Sequence, residues 1–67
     1  RHGVAEIELR AALAIDPDDI EIIGPLARVC VRQGQRTPEV LAWLERIVTE
    51  DDEEAWREWA RGELVRR

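Results

Sequence analysis

Four stretches of the chain carry apolar residues at spacings of three and four, and this periodicity constrains the fold more than any other feature. Such spacing places the apolar side chains on one face of a helix. The stretches are separated by Asp16-Pro17, by Gly34 and by an acidic run over residues 50–54, all of which are typical helix boundaries. The sequence therefore predicts an all-α fold of four helices, packed as antiparallel hairpins with short loops.

The boundaries of the helices follow from their capping residues. Asp18, with Glu21 three residues later, is a capping pair for the second helix. Thr37 followed by Pro38 is an N-cap and a proline at the first helical position, the clearest helix start in the chain. Asp51 and Glu54 are expected to cap the fourth helix, and Arg66 and Arg67 to complement its negative end. The first three predicted helices cover residues 4–15, about 19–33 and 38 to about 49, and the fourth follows the cap at Asp51 and runs to about Val65.

Each predicted helix has an apolar face. Two features stay open: Pro25 either kinks the second helix or marks the start of its regular part, and Trp43 either packs in the core, which is favoured, or lies exposed as a partner-binding residue. Cys30 is interpreted as a buried structural thiol and His2 as a solvated terminal residue. The four faces are Ala5, Leu9, Ala12 and Leu13; Ile22, Ile23, Leu26, Ala27, Cys30 and Val31; Val40, Leu41, Leu44, Ile47 and Val48; and Ala55, Trp56, Trp59, Ala60 and Leu64.

With 67 residues, the chain is long enough for one small domain, residues 1–67, with little surface to bury. Its single cysteine forms no internal disulfide, and one cysteine with one histidine does not build a four-ligand zinc site. We therefore expect no metal and no cofactor, and stability that comes from helix packing or from association.

Composition also argues against several functions. A net charge of −5 disfavours binding to nucleic acid. No apolar run approaches the length of a membrane span and no signal peptide is visible, so we expect no membrane partner and a cytoplasmic location. Because the chain lacks methionine, we expect it to come from a longer protein, and a lost targeting segment stays an open alternative. With no serine, lysine or tyrosine and with scattered glycines, an enzyme is not expected.

The apolar faces also repeat along the chain. The second helix lines up with the fourth at an offset of 33 residues, and the first with the third at an offset of 35. In addition, "AALAIDPDD" (residues 11–19), "PLARVCVRQGQ" (25–35) and "EEAWREWARG" (53–62) resemble segments of the tetratricopeptide (TPR) repeat, whose period is 34 residues. The second hairpin lacks the closing proline of that repeat, and Val40 replaces a usual alanine. The resemblance implies a TPR-like superhelix fragment of about two hairpins.

The resemblance also implies a function. TPR arrays generally act as scaffolds that receive a peptide or a partner domain in a groove lined by the first helix of each hairpin. Here those helices are the second and the fourth, and they carry Arg28 and Arg32, and Arg57 and Arg61. The four arginines are predicted to form a cationic strip for an acidic segment. The alternative is that Glu53, Glu54, Glu58 and other acids simply pair with them.

Two further functions stay open. The chain is alternatively a structural or capping segment that stacks on further repeats or on a copy of itself, or an accessory domain of an enzyme encoded elsewhere in the parent protein. Because about two repeats cannot bury all their apolar surface, we expect an exposed apolar patch near the first helix or Trp43, and a possible homo-oligomer.

Overall fold

The computed structural model describes residues 2–66, and side chains from Gly3 onwards. The described part contains four helices and no strand, which confirms the predicted all-α fold. The expectations for the side chain of His2 and for Arg67 lie outside it. The helices are α1 (His2–Ile15), α2 (Ile20–Arg32), α3 (Pro38–Glu50) and α4 (Glu54–Val65).

The starts of α2 and α3 are fixed by side-chain caps. Asp19, not Asp18, is the N-cap of α2: its carboxylate accepts a hydrogen bond of 2.9 Å from the backbone N–H of Glu21. The Asp18 prediction was wrong: the adjacent Asp19 is an equally good N-cap residue, and the helix begins one residue later than expected, at Ile20. The prediction for α3 is confirmed, since the Thr37 hydroxyl accepts from the N–H of Val40 at 3.2 Å.

The start of α4 differs from the prediction. Glu53 is the N-cap residue, and its side chain makes no capping hydrogen bond. The Asp51 carboxylate instead accepts from the N–H of Glu53 at 2.9 Å, which closes the turn between α3 and α4. Asp51 thus shapes the loop and leaves the first turn of α4 without a side-chain cap.

Pro25 lies inside α2, which continues through it from Ile20 to Arg32. The regular part of the helix therefore begins before Pro25 and does not start at it. The helix ends at Arg32, and Gly34 is the stop that was predicted: its φ of +80° is the left-handed conformation that favours glycine.

The core lies mainly between α2 and α3. Burial of the thiol of Cys30 and of the ring of Trp43, which is 7% exposed, confirms both core interpretations. Trp56 and Trp59 are only half-buried against this core, and Ala55 is exposed, so the predicted inner face of α4 is too wide. The fully buried apolar residues are Ile23, Leu26, Ala27, Cys30, Val40, Leu44, Ile47 and Ala60.

Consecutive helices pack as antiparallel hairpins, α1 on α2, α2 on α3 and α3 on α4. This order brings α2 and α4 side by side and parallel, in contact where the ring of Trp56 lies over Gly24. The arrangement is consistent with a TPR-like superhelix, and it leaves an accessible surface to which both α2 and α4 contribute.

Candidate functional site

The candidate site is the groove between α2 and α4. A β-carbon placed on Gly24 would stand 3.7 Å from the ring of Trp56, so the ring rests directly on the backbone of α2. Beside this contact, the start of α2 and the start of α4 enclose an open cavity of about 300 Å³. Gly24, Pro25 and Trp56 form its floor. We refer to this cavity and the recess next to it as the α2–α4 groove.

The rim of the groove is acidic at one end. Glu21 lies in the first turn of α2, and Asp52 and Glu53 precede α4. Acids at these positions have a local explanation, because negative charge at a helix N-terminus stabilises the helix. With Asp51, four carboxylates line this end of the groove. They repel a ligand that is negative throughout.

A smaller recess of about 160 Å³ continues the groove along α2. Its walls are the half-buried rings of Trp56 and Trp59, whose centroids are 5.7 Å apart at an interplanar angle of 89°. The guanidinium carbon of Arg28 lies 5.8 Å from the centroid of Trp56, at the range of a cation–π contact. The stacked cation and the two rings therefore form one continuous surface.

Arg28 is accessible and makes no ion pair within the described residues. Arg32 stands one helical turn further on, is also exposed, and likewise takes part in no described ion pair. Both side chains keep all their donors available to a ligand. The structure thus brings Arg28 to the groove, with Arg32 one helical turn beyond it on α2.

The other two arginines lie elsewhere. Arg57 is half-buried and donates a hydrogen bond of 2.6 Å to the carbonyl of Asp51, where it closes the end of α3. Arg61, four residues later, is exposed on the same flank of α4, and neither arginine lines the α2–α4 groove. The predicted strip of four arginines is therefore divided between two surfaces. The predicted pairing of Arg57 and Arg61 with nearby acids is also not found among the described ion pairs.

Trp43, the fifth residue predicted to bind a partner, does not reach the groove. Its ring is buried, and the guanidinium of Arg10 covers it with its carbon 5.3 Å from the ring centroid. Arg10 is held there by Glu6 at 2.8 Å and Glu39 at 3.1 Å. In this fold the ring of Trp43, on α3, packs against Arg10 of α1 and is too buried to contact a ligand.

Sequence reasoning overlooked Trp56 and Trp59 as site residues, because their spacing on the apolar face of α4 predicts core. The sequence did contain a signal. Trp56 and Trp59 put two large rings on one short helix, and a core of two hairpins is too small to bury both. Gly24 was a second signal, since a glycine within an apolar helical face favours close approach of a neighbouring element.

The chemistry available elsewhere is limited. Burial raises the pKa of the Cys30 thiol, and this disfavours the thiolate that a nucleophile requires. In the described part of the chain, no three His, Cys, Asp or Glu side chains are placed so that they could hold one metal ion. None of the four helices described is long and apolar enough to cross a membrane.

Comparison with known proteins gives no match: no family model, curated protein or solved structure is similar to the chain. What supports a function is therefore the geometry of its own residues.

Proposed function

We propose that this chain is a protein-interaction module of TPR type that binds a peptide segment of a partner protein in the α2–α4 groove. The single observation that supports this most is the surface formed by Arg28 stacked on Trp56 with Trp59 beside it. Arginine and tryptophan are the residue types most enriched at binding hot spots. Here they are accessible, and no described ion pair occupies the arginine.

The ligand we propose carries an apolar residue next to one or two carboxylates. The apolar residue packs on the rings of Trp56 and Trp59, and a carboxylate accepts two parallel hydrogen bonds from Arg28, with Arg32 one turn further on. The acids around Glu53 exclude a ligand with a long negative run. The groove thus selects a mixed apolar and acidic segment.

The experiment is an NMR titration of the ¹⁵N-labelled chain with a short peptide of alternating leucine and aspartate. The three tryptophans serve as internal reporters, because only two of them line the groove. We expect the indole N–H resonances of Trp56 and Trp59 to shift while that of Trp43 stays in place. The same peptide with asparagine in place of aspartate is expected to bind more weakly.

Two charge reversals provide a matched pair of variants. Arg28→Glu removes the carboxylate contact and is expected to weaken binding by about tenfold or more, the usual worth of a hydrogen bond to a charged group. Arg61→Glu makes the same change of charge at an exposed residue of α4 that does not line the groove, and is expected to change the affinity by no more than about twofold. Equal weakening by both variants, or no shift of Trp56 and Trp59, would contradict the proposed groove.

The second candidate function is that of a structural segment that stacks on further repeats or on a copy of itself. A different surface supports it: the outer face of α1, where Val4, Ile7 and Ile15 are exposed.

A further inference from the structure

The helix α1 is apolar on two faces. Leu9 and Leu13 pack against the core from one side. The opposite side consists almost entirely of exposed apolar residues, with Val4 55% exposed, Ile7 70% and Ile15 88%. Glu8 is the one charged side chain on that side among the described residues. A surface helix normally presents a polar face to water, so this outer face lacks a partner.

Four of the exposed residues follow the spacing of a helix-pairing seam. Val4, Ile7, Ala11 and Ala14 are separated by three, four and three residues, as are the a and d positions of a heptad. All four are exposed, so the seam is complete and unoccupied by any other described part of the chain.

The sizes of these residues change along the seam. The two large side chains, Val4 and Ile7, stand in the first half, and the two small ones, Ala11 and Ala14, in the second. A second α1 laid antiparallel across a twofold axis places Val4 opposite Ala14 and Ile7 opposite Ala11. Each facing pair then combines one large and one small residue, so that the side chains fill the space between the helices evenly. A parallel copy would oppose large with large at one end and leave a gap between alanines at the other.

We propose that the outer face of α1 is a self-association surface, and that its occupant is α1 of a second copy of this chain in that antiparallel register. The contact is isologous, because the same patch serves on both subunits. A helix of 14 residues is about 21 Å long, so the buried area falls below the roughly 800 Å² per partner of a stable interface. The dimer is therefore a weak one, formed at high micromolar to millimolar concentration.

The first experiment is sedimentation equilibrium of the chain from micromolar to millimolar concentration, with two matched variants. Ile7→Gln removes an apolar side chain from two facing pairs of the dimer and is expected to raise the dissociation constant by about 100-fold. Val65→Gln makes the same kind of change at a residue on α4 that is 74% exposed, and is expected to leave the constant within about twofold. A strictly monomeric parent chain, or a dimer that is indifferent to Ile7→Gln, would overturn the proposal.

The second experiment tests the register by disulfide cross-linking. The native Cys30 is fully buried and remains in every variant. We expect Val4→Cys mixed with Ala14→Cys to give a cross-linked dimer under mild oxidation, since a disulfide requires the facing β-carbons to lie about 3.8 Å apart. Val4→Cys alone is expected to remain largely uncross-linked. Efficient cross-linking of Val4→Cys with itself would mean a parallel pair and overturn the antiparallel register.

Discussion

Five of the arginines fall into two kinds by what their guanidinium groups contact. Three of them connect elements that are distant in sequence. Arg10 joins α1 to Glu39 on α3, Arg46 joins α3 to Asp18 in the first loop, and Arg36 reaches the end of α4. Arg28, in contrast, has no such role among the described residues and lines the α2–α4 groove. This combination is why we assign it to a ligand, with Arg32 one helical turn further on.

Arg36 is the connecting arginine with the strongest set of contacts. It pairs with the carboxylate of Glu63 at 3.1 Å and donates to the backbone carbonyls of Glu63 and Arg66. Glu63 is only 7% exposed, and Arg36 is its nearest charged partner. We expect Arg36→Ala to lower the free energy of unfolding by about 2 kcal/mol, because it leaves a buried carboxylate poorly paired. Urea denaturation measures the change.

Arg66→Ala is the control for this prediction. The Arg66 side chain is 72% exposed and its guanidinium is 3.9 Å from Glu63, at the limit of an ion pair. Its removal is expected to change the free energy of unfolding by less than about 0.5 kcal/mol. If the two variants proved equally stable, the ion pair of Arg36 with Glu63 would have no structural role.

At the scale of the elements, two glycines in open surroundings are expected to respond in opposite directions. Gly62 lies inside α4 and Gly34 follows α2, and a β-carbon would meet no atom within 4 Å at either position. Gly62→Ala is expected to stabilise the chain by about 0.5–1 kcal/mol through helix propensity. Gly34→Ala is expected to destabilise it by about 1–2 kcal/mol, because φ is +80° there. Denaturant midpoints of the two variants that move the same way would contradict this assignment of α2 and α4.

Elements whose signals are local were predictable from the sequence. Thr37-Pro38 specified the start of α3 because the cap and the proline act within one turn. The N-cap of α2 was missed by one residue, since the choice between Asp18 and Asp19 depends on where Ile20 packs against the core. Local patterns do not contain that information.

The candidate site was only partly predictable, for a related reason. The exposure of Trp56 depends on how many helices surround α4, and α4 packs mainly on α3 and touches α2 at Gly24. The position of Arg57 relative to α2 could not be predicted either. The i,i+4 spacing of Arg57 and Arg61 places them on the same flank of α4, but it does not say where that flank lies relative to α2. Tertiary packing decided both.

For the whole molecule, the attachment of α1 depends on a small group of polar contacts around Glu6. Its carboxylate accepts hydrogen bonds from Arg10 at 2.8 Å, from Gln33 at 2.9 Å and from Gln35 at 3.3 Å. These contacts join α1 to the end of α2, and through Arg10 to α3. Since no disulfide or metal joins the described helices, this group is the main polar link of α1 to the domain.

The hydrogen bond from Arg10, with those from Gln33 and Gln35, holds the pKa of Glu6 below its ordinary value of 4.5. A carboxyl whose pKa is lower in the folded state binds fewer protons there than in the unfolded chain. Its contribution to stability is therefore present above about pH 4.5, and is lost as the pH falls through the lower pKa of the folded state. We expect the carboxyl resonance of Glu6 to titrate with a midpoint below 4.5, and amide exchange in α1 to accelerate on acidification.

The variant Glu6→Gln separates this contribution from general acid effects. The variant lacks the titrating group. Its urea midpoint is therefore expected to be lower than that of the parent chain at pH 5, and to fall less between pH 5 and pH 3. Glu58→Gln removes the same charge from an exposed side chain outside the described ion pairs, and is expected to keep the dependence of the parent chain on acid. A Glu6→Gln chain with the acid dependence of the parent would show that α1 is held by its apolar contacts with Leu9 and Leu13 alone.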